Sequence, residues 1–182
     1  LTLIGGQATR ETIETVFVEH LVGQAAATDI VVFHFSGYGS QVKVPQLETP
    51  GSAERLVNSF VASDGFLPAT DGVNHLLEET LGLLARSLAT DKLTLVLDTS
   101  HGSPGKVLQG SLRLRTSPTL PPGGASAAEL AFQEQLRLRQ PVKRIERRSP
   151  PARFNLPGIV LSAAREGQIA VEGDWHGFSA GL

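Results

Sequence analysis

Three short apolar runs fix the range of folds open to this chain. They are Ile30-Val31-Val32-Phe33-His34-Phe35, Leu93-Thr94-Leu95-Val96-Leu97 and Gly158-Ile159-Val160-Leu161-Ser162-Ala163. Each is too short for a helix of ordinary length and rich in β-branched or aromatic side chains. A half-buried strand alternates apolar with polar residues, and these runs do not. They are expected to be strands buried on both faces, as in a parallel sheet. Each of the first two is preceded by an amphipathic segment. Over residues 9–26, Ile13, Val16, Phe17, His20, Leu21 and Gln24 recur at helical spacing; over 74–88, Leu76, Leu77, Leu81, Leu84 and Leu88 do so. Thr9 is placed to cap the first helix, with Glu11 and Glu14 early in it, where the helix dipole favours anions. Strands alternating with helices predict an α/β fold, a mainly parallel sheet flanked by helices.

The rest of the chain is less regular. Residues 41–70 read mostly as loop, with a possible short strand at 57–62. Residues 116–151 hold several prolines, a polar helix near 125–140 and the basic run Lys143, Arg144, Arg147 and Arg148. That composition predicts an exposed connector. Residues 165–182 are expected to be irregular.

Bulk properties narrow the function. The formal net charge is −2 over 182 residues, so no global field attracts nucleic acid or an anionic membrane. No apolar run is long enough to span a bilayer, and a cytoplasmic location is expected. There is no cysteine, which removes disulfides, thiolate metal sites and a cysteine nucleophile from this stretch. His20, His75 and His176 show no ligand spacing, so no metal and no cofactor is expected. The first residue is Leu1 and there is no methionine, which suggests a piece of a longer, multi-domain chain.

Two of the strand runs end in loops rich in Gly, Ser and Asp. In open α/β sheets, sites form at the carboxyl ends of strands. The first loop reads Ser36-Gly37-Tyr38-Gly39-Ser40 and the second Asp98-Thr99-Ser100-His101-Gly102-Ser103. Together, and in this order, they resemble the histidine and cysteine motifs of the metacaspase/caspase family. In that family the first loop reads Ser-Gly-His-Gly and the second Asp-x-Cys-His-Ser-Gly. Here Tyr38 stands in the histidine position and Ser100 in the cysteine position, and Gly102-Ser103 inverts the usual Ser-Gly. The segment Leu161-Ser162-Ala163-Ala164, with Gln168, Ala170 and Glu172, is similar to the first small-subunit strand of bacterial caspase-like proteins.

The resemblance, to prokaryotic metacaspases (orthocaspases), implies a caspase-like three-layer sandwich. It divides the chain into a large-subunit-like part at 1–116 lacking its first strand, a connector at 117–151, and a truncated small-subunit-like part at 152–182. It also implies that Asp98 and Ser36 line a pocket for a basic side chain, and that a peptide or protein partner with basic residues is the ligand. On its own sequence context, Asp98 reads equally as a loop-stabilising residue.

The substitutions carry chemical consequences. A serine hydroxyl has essentially no ionised form at neutral pH and needs a base to remove its proton. Histidine, with a reference pKa near ~6.5, can serve; tyrosine, near ~10, is protonated at pH 7. Losing nucleophile or base costs on the order of 10⁶ in turnover, and joint loss costs about the same. The expectation is therefore a pseudo-peptidase with a binding or regulatory role. The alternative is an Arg/Lys-specific hydrolase using Ser100 as nucleophile, with His34 or a group elsewhere as base. His34 otherwise reads as a packed strand residue, and His101 as pointing away from Ser100.

Overall fold

The computed structural model describes residues 1–45, 54–67, 71–101, 113–117, 120–140, 156–165, 167–175 and 178–181. Three helices and nine strands appear among them. Helix α1 (Arg10–Val16) is capped by Thr9, whose hydroxyl accepts a hydrogen bond from the Thr12 amide at 3.2 Å, and it continues with π geometry over Phe17–Val22. Strand β1 (Val31–Ser36) follows, then the antiparallel pair β2 (Gly39–Val44) and β3 (Arg55–Val61). Short β4 (His75–Leu77) leads into α2 (Glu78–Arg86), and β5 (Leu93–Asp98) comes next. Strand β6 (Arg113–Leu114), α3 (Ala127–Arg139), β7 (Ile159–Ser162), β8 (Val171–Trp175) and β9 (Phe178–Gly181) complete the order.

The expected parallel sheet is present, with strand order β1-β5-β7. Two antiparallel sheets of order β2-β3-β4 and β6-β8-β9 accompany it. From local composition alone, β2 reads as loop, β4 as helix, and β8 and β9 as irregular chain; pairing makes each a strand. Strand β2 is short and carries Ser, Gln and Lys. It is held by its partner β3 and not by an intrinsic preference.

Burial departs from the expectation in one respect. Val31, Phe33, Phe35, Leu93, Leu95 and Leu97 point to one side, into a core with Ile13, Phe17, Leu81, Leu84 and Leu136 from all three helices. On the other face Val32, Ile159 and Leu161 are exposed. The three central strands are thus not covered on both sides among the described residues. Among the described residues helices cover one face of β1 and β5, while β7 is exposed along its length.

The helices are joined by a buried polar cluster. Arg10 donates to Glu14 at 2.7 Å and to Glu129 at 3.1 Å. Glu129 is fully buried and also accepts from the Leu77 amide at 3.2 Å and from the Thr80 hydroxyl. Ser126 caps α3 by accepting from the Glu129 amide at 3.2 Å. Two carboxyls therefore face one guanidinium. Burial, then the neighbouring Glu129, push the Glu14 carboxyl up to about 9, and Arg10 offsets only part of this.

A raised folded-state value means the native protein holds a proton that the unfolded chain releases near pH 4.5. The stability this supplies is complete below that pH and is lost as pH rises toward 9. We expect the unfolding free energy to fall as pH rises across 5–9 on account of this group. Urea titrations across that range should show the slope, and Glu14→Gln should flatten it. An unchanged slope in the variant would refute the assignment.

Candidate functional site

The site is built where β1 and β5 end. The two strands are parallel and in register, so Ser36 lies beside Asp98 at the same sheet edge. The Gly37 amide donates to the Asp98 carbonyl at 3.2 Å, and the Ser36 hydroxyl donates to the Asp98 carboxylate at 3.0 Å. The two loops thus meet directly. Contact is closest at Gly39, where a Cβ would lie 2.2 Å from the Ser100 carbonyl oxygen and 2.8 Å from its carbon. Only a residue without a side chain lets the two backbones pass this closely.

A third segment, residues 113–117, fills the junction. The carbonyl of Arg115 accepts from the Gly39 amide at 3.1 Å and from the Ser100 amide at 3.1 Å. The Ser100 hydroxyl reaches the same oxygen at 3.3 Å. With the Thr99 hydroxyl at 3.5 Å, two backbone N–H groups and two hydroxyls converge on one carbonyl, the arrangement that stabilises negative charge on a carbonyl oxygen. The side chain of Arg115 extends to the sheet edge. It donates to the Ser36 hydroxyl at 2.8 Å, and it pairs with Asp98 at 3.3 Å and with Glu172 at 2.8 Å. All three charged side chains are largely sheltered, with 16%, 30% and 19% exposure for Arg115, Asp98 and Glu172. Pairs so placed are stronger than surface ion pairs, which contribute ~0–1 kcal/mol.

The four residues singled out from sequence fall as follows. Ser36 and Asp98 are hydrogen-bonded to each other and share Arg115. Ser100 is buried. Tyr38 is 45% exposed, and its ring packs edge-on to Phe66 at 6.2 Å. Among the described residues no hydrogen bond joins the Tyr38 phenol to Ser100. Gly102, Ser103, His176 and the basic run at 143–148 lie outside the described residues, as does much of the connector.

Among the described residues no histidine is hydrogen-bonded to Ser100. His34 is exposed on the open face of β1. His101 packs edge-on to Phe60 at 5.4 Å, and burial pulls its imidazole down to about 4, so the ring is neutral at pH 7. The Ser59 hydroxyl and His75 Nδ1 lie 3.0 Å apart, but both residues are almost fully buried and no substrate reaches them.

Arg115 and Glu172 were not assigned a site role from sequence. They stand 57 residues apart, and Arg115 is 79 residues from Ser36. The one local signal is the basic-apolar-basic triplet Arg113-Leu114-Arg115 ahead of a proline-rich stretch. Among the described residues no group of three or more His, Asp or Glu side chains is placed to hold a metal. No helix among them is long and apolar enough to cross a membrane.

Comparison with known proteins gives the lineage. The chain is similar to a protein of Geobacter sulfurreducens known from a crystal structure, with 14% identity and a TM-score of 0.52. The match covers 93% of this chain and 58% of that one, so it speaks to fold alone. No curated protein sequence matches. The family model of the Peptidase C14 caspase domain matches residues 4–179, nearly the full length and both motif loops. With its parallel sheet, its two converging loops and that match, the chain belongs to the caspase-domain family of C14 peptidases.

Proposed function

We propose that this domain is a non-catalytic caspase-like module that binds a basic segment of a peptide or protein in the cleft between its two motif loops. One observation carries the proposal: Asp98, Ser36 and Glu172 already grip a guanidinium at the sheet edge. A site that holds one arginine through three side-chain oxygens is chemically suited to arginine in general.

The inactivity half rests on proton chemistry. The Ser100 hydroxyl points to a carbonyl oxygen, which cannot remove its proton at pH 7. Tyr38 is a phenol, a poor base at that pH. We assign the chain, more finely, to the prokaryotic metacaspase-like (orthocaspase) group, with the division at 117–151 into connector and flanking parts. The three-layer caspase arrangement and a cytoplasmic setting belong to the same proposal. The exposed Val32, Ile159 and Leu161 fit a sheet face that receives a further layer.

The test is hydrolysis of peptides with Arg or Lys at the scissile position, using the full-length protein. No turnover above background is expected. Restoring both positions with Tyr38→His and Ser100→Cys asks whether the cleft is otherwise intact. Cleavage by the unaltered protein that Ser100→Ala abolishes would overturn the proposal.

A specific observation favours the second reading, an active hydrolase. Two N–H donors, with the Thr99 hydroxyl at 3.5 Å, converge on one carbonyl oxygen as the donors of an acyl-transfer site do. Attack of Ser100 Oγ on the Arg115 carbonyl carbon, its proton taken by His34 or a base elsewhere and passed to the departing Thr116 amine, would leave an ester that water then hydrolyses, breaking the Arg115–Thr116 bond. Intact-mass measurement of the purified protein discriminates: a break after Arg115 that Ser100→Ala prevents belongs to the hydrolase.

A further inference from the structure

We propose that His75 is an acid-operated latch: its neutral ring holds the turn at 62–67 closed against Tyr38, and uptake of a proton releases that turn from the first motif loop. The latch does not depend on what the cleft binds.

The ring is clamped between two parts of the chain. His75 opens β4, is almost fully buried, and lies opposite Val61 of β3. Its Nδ1 is 3.0 Å from the Ser59 hydroxyl, and the ring also hydrogen-bonds the backbone of Gly65. The Gly65 bond favours the charged ring, so the ring donates in it and the carbonyl accepts. In the neutral ring Nδ1 is then the acceptor and the Ser59 hydroxyl the donor. The turn sits tightly on this arrangement. A Cβ at Gly65 would stand 3.0 Å from His75 Cδ2 and 2.8 Å from Val61 Cγ1.

The same turn carries the contact onward. The Asp64 carboxylate accepts from the Arg10 amide at the start of α1 at 3.0 Å. The Ser63 amide donates to the Ala8 carbonyl at 2.9 Å. Phe66 packs edge-on to Tyr38. Three successive residues, Asp64, Gly65 and Phe66, therefore tie together a helix, a buried histidine and the first motif loop.

A proton on Nδ1 turns the acceptor into a donor and places a charge in a buried setting. The surroundings do little to balance it. Among the described residues the charge that acts on the ring is Asp64, whose carboxylate is already bound to α1. Strand β3 supplies the Ser59 hydroxyl. Strand β2 supplies Ser40, opposite Ser59, whose hydroxyl is buried without a hydrogen-bond partner. From the second motif loop His101 bonds the Ser59 backbone, and burial pulls it down to about 4. Burial likewise pulls the His75 imidazole below its ordinary 6.5, against the opposing effects of Gly65 and Asp64. A lowered folded value means that the stability from the neutral ring is complete above pH 6.5 and is lost as pH falls below it.

The turn is the part that gives way. Ser59 is paired on both sides, to Ser40 and to Leu77. The turn is held by single hydrogen bonds, and Phe66 and Leu67 are exposed, so its opening loses little apolar burial. Opening hydrates the imidazolium and takes Phe66 off Tyr38.

Hydrogen exchange followed by mass spectrometry on the full-length protein tests the latch, with rates corrected for the intrinsic effect of pH. The amides of 62–67 should lose protection at least about tenfold between pH 7 and pH 5, where an opened histidine takes up its proton. The amides of β5 should keep theirs. His75→Gln retains a donor and an acceptor but does not titrate, and should protect the turn equally at both pH values. Hydroxyl-radical footprinting of the unaltered protein should show oxidation of Phe66 and Tyr38 rising at pH 5. Equal protection of the turn at both pH values in the unaltered protein overturns the latch without recourse to a variant. A loss in His75→Gln as large as in the unaltered protein overturns it too. So does a loss shared by β5, which would mean that acid unfolds the whole domain and not the turn.

Discussion

Glu129→Ala is expected to lower the stability of the domain by ~3–5 kcal/mol, the usual loss when one member of a buried ion pair is removed. Glu129 is fully buried and its carboxylate serves three groups that lie far from it in sequence. It pairs with Arg10 on α1, accepts from the Leu77 amide and the Thr80 hydroxyl at the start of α2, and sits in the first turn of α3. Gln133 extends the network by donating to Thr80 at 2.9 Å. Alanine leaves the amide and the hydroxyl without their acceptor and leaves Arg10 with Glu14 alone. In a domain of this size ~1 kcal/mol corresponds to about 2–4 °C, so a fall of roughly 10 °C in thermal midpoint is expected. Glu129→Gln keeps an acceptor for Leu77 and Thr80 and should lose much less. Urea denaturation at pH 7 measures both. A loss under ~1 kcal/mol for alanine would mean the helices hold together by apolar packing alone.

Gly39→Ala should cost ~2–3 kcal/mol and remove peptide binding at the same time. The added carbon would stand 2.2 Å from the Ser100 carbonyl oxygen, 2.7 Å from the Thr99 hydroxyl and 2.8 Å from the Ser100 carbonyl carbon. Two of these are backbone atoms and cannot swing aside, so one loop must retreat from the other. Overpacking of this kind costs ~1–3 kcal/mol, and here the retreat also separates the two amides that hold the Arg115 carbonyl. Gly6→Ala is the control. A Cβ there meets nothing within 4 Å, and a change within about 0.5 kcal/mol is expected. Thermal melts, and titration with a fluorescein-labelled arginine-containing peptide in an Arg115→Ala background that empties the acidic pocket, give the two readouts. A Gly39→Ala protein with unchanged melting would show that the loops do not depend on their close approach.

The site was partly legible before any coordinates. Ser36 and Asp98 could be placed because each ends an apolar run, and parallel strands deliver their ends to one edge. Tyr38 and Ser100 could be named from the motif order. Arg115 could not. Its neighbours follow no period, and its role depends on a carbonyl, an amide and a guanidinium meeting partners far away in the chain. Strand β2 was missed for a related reason: Ser40, Gln41 and Lys43 carry weak strand preference and become a strand by pairing with Ser59, Asn58 and Leu56. The opposite error occurred at β7. Ile159 and Leu161 are strongly apolar and were expected to be buried, yet they face outward. Composition reports what a side chain favours, not whether another element arrives to cover it.

The sequence by itself determined the order of the main strands and helices, the capping of α1 by Thr9, and the intrinsic acidity of the Tyr38 phenol and the Ser100 alcohol. These follow from local periodicity and from the intrinsic properties of single side chains. The tertiary structure alone decided that Glu129 would be the hub of the helical layer, that no described helix would cover Val32, Ile159 and Leu161, and that Asp98 and Glu172 would close on an arginine of the same chain. Each of these depends on contacts between residues dozens of positions apart. The energy of such contacts comes from burial and mutual distance, which the three-dimensional path of the backbone sets.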